Sequence, residues 1–165
     1  MSKIEYDYDI YLAGPFFNDE QKARMDNVKN MLVELGYVVA DPRELGPVIV
    51  DSAPEAKTPA FFKGIFDGNI QAMDKSFMVL ASLDDKDIGT AFELGHMYAS
   101  LKFVTSFAFG GGKTNVMLGQ AVDQHFTSPE ELREFFLKYR RVLFQRDDIV
   151  ILDLFEKSKK AEADE

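Results

Sequence analysis

Asp87-Ile88-Gly89-Thr90-Ala91-Phe92-Glu93-Leu94-Gly95 is the stretch on which the fold turns. An apolar run, Phe77-Met78-Val79-Leu80-Ala81, precedes it, and a helical pattern extends from it to about Leu101. Strand, acidic loop and helix start follow one another, which delivers two carboxylates to one edge of a sheet. In an open α/β sheet, ligands bind at that edge, outside the carboxyl ends of the strands. Asp87 and Glu93 are therefore the first candidates for chemistry. A plainer reading competes: Thr90-Ala91-Phe92-Glu93 fits a capping box, in which Thr90 accepts from a backbone N–H and Glu93 reaches back to the cap. That box accounts for Thr90 and Glu93, but not for Asp87 or for Gly89 and Gly95.

Upstream, Asp9-Ile10-Tyr11-Leu12-Ala13 reads as a first strand, stopped by the turn dipeptide Gly14-Pro15. Phe16 and Phe17 follow, either stapled onto the next helix or forming a wall for a flat ligand. Asn18 caps that helix with Gln21 three positions on. Met25, Val28, Leu32 and Leu35 give it one apolar stripe, and Gly36 ends it. Tyr37-Val38-Val39-Ala40 is a second strand, left through Asp41 by a long irregular loop reaching about Lys57. Thr58-Pro59 starts a helix whose Phe61, Phe62, Ile65, Phe66, Ile70 and Met73 read as a broad buried face. Asp67 sits among them, as a solvated helical residue or as a third carboxylate of the site.

Downstream, Phe103-Val104-Thr105-Ser106-Phe107-Ala108-Phe109 is apolar enough for a strand buried on both faces. Gly110-Gly111-Gly112-Lys113-Thr114 imitates the end of a phosphate-binding loop. That motif needs glycine where Phe107 stands, and would follow a different strand, so a flexible loop is the reading. A short helix from Asn115 to about Val122, an extended piece at His125-Phe126 and a helix from Ser128-Pro129 to about Tyr139 continue the alternation. Residues 141–144 and 149–154 read as short strands around a hairpin at Arg146-Asp147-Asp148, and residues 155–165 as a charged, disordered tail. Alternating strands and helices specify an α/β fold with a mostly parallel sheet, in one domain over residues 1–154.

Bulk properties narrow the function classes. A chain of 165 residues makes one domain that buries about 70% of its unfolded surface. A net charge of −9 lacks the footprint of a duplex-binding protein. With no Cys there is neither disulfide nor thiolate chemistry, and the two His argue against a His-rich metal site. No apolar run has membrane-spanning length, and the charged N-terminal residues do not resemble a signal peptide. The expectation is a soluble, cytoplasmic domain without metal, cofactor, nucleic-acid or membrane partner.

Carboxylates without a metal suit chemistry at an anomeric carbon, where one attacks an oxocarbenium-like centre and another group manages the leaving-group proton. Glu93, placed in a first helical turn, would be kept ionised by the helix dipole. Crowding among Asp67, Asp87 and Glu93 would raise the pKa of one partner, the set titrating together.

Tyr11-Leu12-Ala13-Gly14-Pro15-Phe16-Phe17, Asp67, Asp87-x-Gly89-Thr90-x-x-Glu93-x-Gly95 and Asn115-Val116-Met117 together resemble the nucleoside 2-deoxyribosyltransferase family, in order and spacing, from the first strand to about Tyr139. The resemblance implies a flavodoxin-like (Rossmann-type) five-stranded sheet flanked by helices. It implies that Glu93 attacks C1′ of a 2′-deoxynucleoside, holds a covalent deoxyribosyl intermediate and passes it to a second free nucleobase with retention. Asp67 and Asp87 would contact the base and shuttle its proton, Tyr11 would orient Glu93, and Phe16 and Phe17 would line the base pocket. Gly14 and Gly89 fall among the substrate-binding positions. Asn115 would reach a neighbouring subunit's site to bind the 5′-hydroxyl, with Met117 packed nearby. That requires a homo-oligomer, a dimer or a hexamer built as a trimer of dimers.

The chain departs from the family in two places: no glutamine follows the second strand, and the Ala-Asp-Glu end does not match. His96, a turn after Glu93, reads as structural. A hydrolase of 2′-deoxynucleoside 5′-monophosphates is the nearest rival, but phosphate needs Arg, Ser or free backbone donors, and Pro15-Phe16-Phe17-Asn18-Asp19 offers no Arg or Ser. The other alternative is a non-enzymatic flavodoxin-like module, a nucleotide sensor or a phospho-acceptor receiver; a receiver would want an acidic pair where those aromatics stand.

Overall fold

The alternation predicted from sequence is realised in a computed structural model that describes residues 6–46, 58–111 and 114–145, with backbone alone for 140–145. Strands β1 (Tyr8–Ala13), β2 (Val39–Ala40), β3 (Ser76–Ser82), β4 (Phe103–Phe107) and β5 (Gln124–Phe126) alternate with helices α1 (Asp19–Glu34), α2 (Pro59–Asp74), α3 (Ile88–Ala99), α4 (Val116–Ala121) and α5 (Pro129–Gln145). All neighbouring strands pair in parallel, in the order β2-β1-β3-β4-β5. This is the flavodoxin-like order of a doubly wound sheet, and it reverses direction between β1 and β3, where such sheets bind ligands.

The reversal decides which helix covers which face, because crossovers are right-handed. The step from β1 to β2 lays α1 on one face; the steps running the other way lay α2 and α3 on the opposite one. Residues alternate accordingly along the inner strands. Ile10, Leu12, Met78, Leu80 and Phe107 pack with Met25, Val28 and Leu32 of α1 and Leu132 and Phe136 of α5. Tyr11, Ala13, Val79, Ala81 and Val104 pack with Met73 of α2 and Leu94 and Met97 of α3. Leu12, Leu32, Leu80 and Leu94 are entirely buried, and each stabilises the fold by about 1.5–3 kcal/mol.

Local signals act as read for α1 and α2. Asn18 Oδ1 accepts from Gln21 N at 2.9 Å, and Gln21 Oε1 accepts from Phe17 N at 2.9 Å, so the two ends of the cap serve each other. Thr58 caps α2 ahead of Pro59. Four expectations need correction. The backbone over residues 141–144 is helix, not strand: α5 continues to Gln145 because nothing after Tyr139, neither Gly nor Pro, stops it. The broad face of α2 is not all buried: Phe62 and Phe66 are about half exposed, and burial is complete only toward Ala72 and Met73, where the helix overlies the sheet. The loop after β2 opens with a 3-10 turn, Pro42–Glu44. β2 itself is shorter than predicted, because the Tyr37 hydroxyl donates to the Phe136 carbonyl at 2.7 Å and fixes Tyr37 to α5 outside the ladder. The strand at 149–154, the hairpin before it and the tail lie outside the described residues. Among the described residues no helix is long and apolar enough to cross a membrane.

Candidate active site

Small side chains open space over the carboxyl edge of the sheet. Ala13, Ala81 and Ser106 stand in one register row across β1, β3 and β4, on the face that α3 covers. One row deeper, Tyr11 is fully buried on β1 and its hydroxyl donates to Glu93 Oε1 at 2.6 Å. The phenol and the carboxylate are 82 residues apart in sequence, and the parallel pairing of β1 with β3, followed directly by α3, brings them together. Gly14 ends β1 where a Cβ would collide with the Met25 thioether, so close packing of the turn onto α1 is one reason for glycine there.

The cap of α3 differs from the capping box. Asp87, not Thr90, precedes the helix, and its Oδ2 accepts from Thr90 N at 2.7 Å and Thr90 Oγ1 at 2.8 Å. Gly89 leaves room beside it: an added Cβ would lie 3.1 Å from Asp87 Oδ2, a tight contact. With Asp87 holding the cap, Glu93 is released from it and sits in the second helical turn. The dipole expectation therefore fails. Burial raises the Glu93 pKa most, the Tyr11 hydrogen bond lowers it, and the neighbouring Asp87 charge raises it further, leaving it at about 7. Tyr11, buried and beside that carboxylate, is pushed above the ordinary phenol range and stays a donor.

The loop between β3 and α3 is clamped. Gly110 N donates to Asp84 Oδ1 at 2.7 Å and Arg24 meets Asp85 at 2.6 Å. Between these ties and the Asp87 cap, Lys86 adopts a left-handed backbone with φ 51°. A cavity of about 440 Å³ opens beside this loop, with Leu83, Ala91 and Leu118 as apolar walls and Lys86, Asp87 and Asn115 as polar groups. Asn115 caps α4, its Oδ1 accepting from Met117 N at 2.9 Å, which leaves its amide N–H groups for a ligand. Glu93 is not among the residues lining this cavity.

The other expected residues are dispersed. Asp67 is on α2 next to Phe66, whose ring is 6.0 Å from that of Phe92, so it stands on the helix beside α3. Its carboxylate pairs with Lys63 at 2.5 Å rather than with Glu93 or Asp87. The two aromatics after β1 separate: Phe16 packs against the α1/α5 core under the Arg43 guanidinium, 4.3 Å from its centroid, while Phe17 is 80% exposed. Met117 is 75% exposed on α4. His96 bonds to Asp74 at 3.1 Å, away from Glu93, in keeping with a structural role.

Sequence reasoning missed two features. Lys86 could have been noticed as the cation inside Asp84-Asp85-Lys86-Asp87. The other is an ion cluster at the end of β2: the buried Asp41 carboxylate takes Arg43 Nε at 3.0 Å and Nη2 at 2.7 Å, and Lys29 Nζ at 3.0 Å. Arg43 Nη2 also reaches Asp26 at 2.7 Å. Burial alone would raise the Asp41 pKa, but these hydrogen bonds outweigh it and hold the carboxylate below its ordinary range.

The profile of the nucleoside 2-deoxyribosyltransferase family matches residues 10–132. Among solved structures, a 2-deoxyribosyltransferase from the psychrotolerant bacterium Bacillus psychrosaccharolyticus is similar at 31% identity, over 76% of this chain and 90% of that one, with a TM-score of 0.59. A conserved protein from Enterococcus faecalis is similar at 19% identity over 80% of this chain and 98% of its own, TM-score 0.68. A CMP N-glycosidase from Clostridium botulinum is similar at 15% identity over 79% and 98%, TM-score 0.54. The last two likenesses concern the fold alone. No curated protein matches the chain.

Proposed function

The chain belongs to the nucleoside 2-deoxyribosyltransferase family, enzymes acting on N-glycosidic bonds, and from that premise we propose that it exchanges the base of 2′-deoxynucleosides through a covalent deoxyribosyl–Glu93 intermediate. The observation that carries this reading is the Tyr11–Glu93 pair: a largely buried carboxylate, held at 2.6 Å by a phenol that stays protonated, at the ligand-binding edge of the sheet. A Glu93 oxygen forms a bond to C1′ as the C1′–N bond breaks. The bonding pair goes to the base nitrogen, a proton managed by Asp67 neutralises it, and Asp87 contacts the base. The acceptor base reverses these events, returning that proton and leaving with the sugar in its original configuration. Tyr11 orients the attacking oxygen, and Phe17, exposed beside the edge, offers a ring for the base to stack on.

An unphosphorylated donor fits better than a 5′-monophosphate. The arginine packed on the loop after β1, Arg43, is already committed to Asp41 and Asp26. Incubation with deoxyinosine and free adenine tests the function: deoxyadenosine forms only when adenine is supplied. Hypoxanthine release from the monophosphate alone, without exchange, would count against transfer.

Assembly is part of the proposal. Phe62, Phe66, Ile88 and Phe92 expose half or more of their surface on α2 and α3, and Val116 and Met117 expose over 70% at the start of α4. Apolar exposure of that density marks an association surface. A homo-oligomer in which Asn115 and Met117 complete a neighbour's site would cover it. Mixing Glu93→Ala with Asn115→Ala subunits then restores exchange; if Asn115 serves its own chain, beside its own Asp87, the mixture stays inactive.

A further inference from the structure

At the carboxyl edge of the sheet, Arg24, Lys29 and Arg43 are each bound to carboxylates. Lys86 is different: it has no ion-pair or hydrogen-bond partner among the described residues, and it lines the cavity beside Asp87. Its φ of 51° is a backbone that glycine adopts freely and a residue with a Cβ adopts only under strain. The loop is clamped before Lys86 by Asp84–Gly110 and Arg24–Asp85 and after it by the Asp87 cap, so the strain is held in place. The neighbouring Asp87 is half used: Oδ2 caps α3, and Oδ1 has no hydrogen bond among the described residues. A full donor and a free acceptor, adjacent in sequence, thus serve one cavity.

We infer that Lys86 is a specificity-determining residue of this site, donating from its ammonium to a carbonyl oxygen of the nucleobase while Asp87 Oδ1 accepts from the ring N–H next to that carbonyl. The inference rests on the base-exchange reading and names its preferred substrates, bases carrying a lactam edge, such as hypoxanthine. When the C1′–N bond breaks, the electron pair left on the base nitrogen delocalises toward the carbonyl oxygen. An ammonium on that oxygen meets the charge where it develops. Adenine has no oxygen there and gains less. Lysine supplies this charge as a flexible point donor, so no planar fork geometry is required.

The test compares hypoxanthine with adenine as acceptors from deoxycytidine, and measures equilibrium binding of each free base by calorimetry. In Lys86→Met the ratio of kcat/KM for hypoxanthine over adenine falls by about tenfold or more, as loss of a charged hydrogen bond predicts, and hypoxanthine binding weakens more than adenine binding. Lys86→Gly removes the same cation while relieving the backbone; its melting temperature is no lower than that of the unsubstituted protein, and it shows the same loss of selectivity. Ratios unchanged within about twofold in both variants overturn the assignment. If the unsubstituted protein exchanges no base, yet Lys86→Met still weakens hypoxanthine binding selectively, the exchange reading falls and the role of Lys86 stands. Exchange that proceeds with selectivity independent of Lys86 does the reverse: base transfer stands and the role of Lys86 falls.

Discussion

Glu93 and Asp41 are both carboxylates carried in by segments that follow β3 and β2, the strands on either side of β1, and their surroundings drive them in opposite directions. Asp41 is met by Arg43 and Lys29, so its charge is balanced and it stays ionised below the ordinary carboxylate range. Glu93 is met by a neutral phenol and by the Asp87 charge, and burial pushes it up to about 7. The company each keeps makes the difference. A carboxylate surrounded by cations is stable but a poor nucleophile, because its electron pairs are engaged. A carboxylate with one phenol keeps an oxygen free, and the cost appears as reduced stability whenever it is ionised.

The largest expected effect comes from erasing the reactive member. Glu93→Gln keeps a partner for the Tyr11 hydroxyl and lowers base exchange by at least about 10⁴-fold. The same substitution stabilises the fold above neutral pH. A group whose pKa rises from 4.5 unfolded to about 7 folded holds its proton only in the native state between those values. Stability therefore declines as pH rises through that window, by up to about 3 kcal/mol. Melting temperatures against pH should show Glu93→Gln above the unsubstituted protein beyond pH 7, the two converging near pH 4.5. A variant that still exchanges bases, or that loses stability at every pH, breaks the contrast.

The structural member should behave the other way. Asp41→Asn keeps the shape but removes the buried carboxylate shared by Arg43 and Lys29, which retain Asp26 and Glu44, and costs about 3 kcal/mol in urea unfolding, the low end for a broken buried pair because both cations keep a second partner and some solvent. Exchange by the remaining folded protein keeps its pH dependence. The smallest effect belongs to Tyr11→Phe. With Glu93 as nucleophile, exchange by the unsubstituted protein should rise with pH through about 7, as Glu93 ionises. Burial sets that value, and Tyr11 is the influence that lowers it, so removing the hydroxyl moves the profile to higher pH by about one unit and reduces the rate at pH 7 by about fivefold. A profile that does not move would mean the phenol holds the carboxylate in place without tuning it.

How much of the molecule can be read from the chain depends on how local each cause is. The α1 stripe and the caps at Asn18 and Thr58 are set by neighbours within four residues, and spacing captures them. Spacing misassigns the cap of α3 because Asp87 and Thr90 are both capping types three positions apart, and only the loop geometry chooses Asp87. The wrong sign for Glu93 follows from that choice, since the dipole argument belongs to a first turn. On α2, periodicity shows that Phe62 and Phe66 share a stripe but not whether the sheet extends far enough to cover it. Asp41, Arg43, Asp26 and Lys29 come from a strand end, a 3-10 turn and a helix, and no spacing rule links them. The pairing of Tyr11 with Glu93 is legible only through the family resemblance, and the parallel register supplies its physical reason.

The two outermost strands have a consequence for the protein in a crowded solution. β2 has two residues and β5 three, whereas the inner strands have five to seven. An edge that short presents few unpaired backbone groups to another chain. A molecule that displays phenylalanines on its helices needs such a safeguard: it can associate through side chains while its sheet offers almost nothing to extend. Lengthening either rim strand would be a direct way to give the fold an edge on which fibres grow.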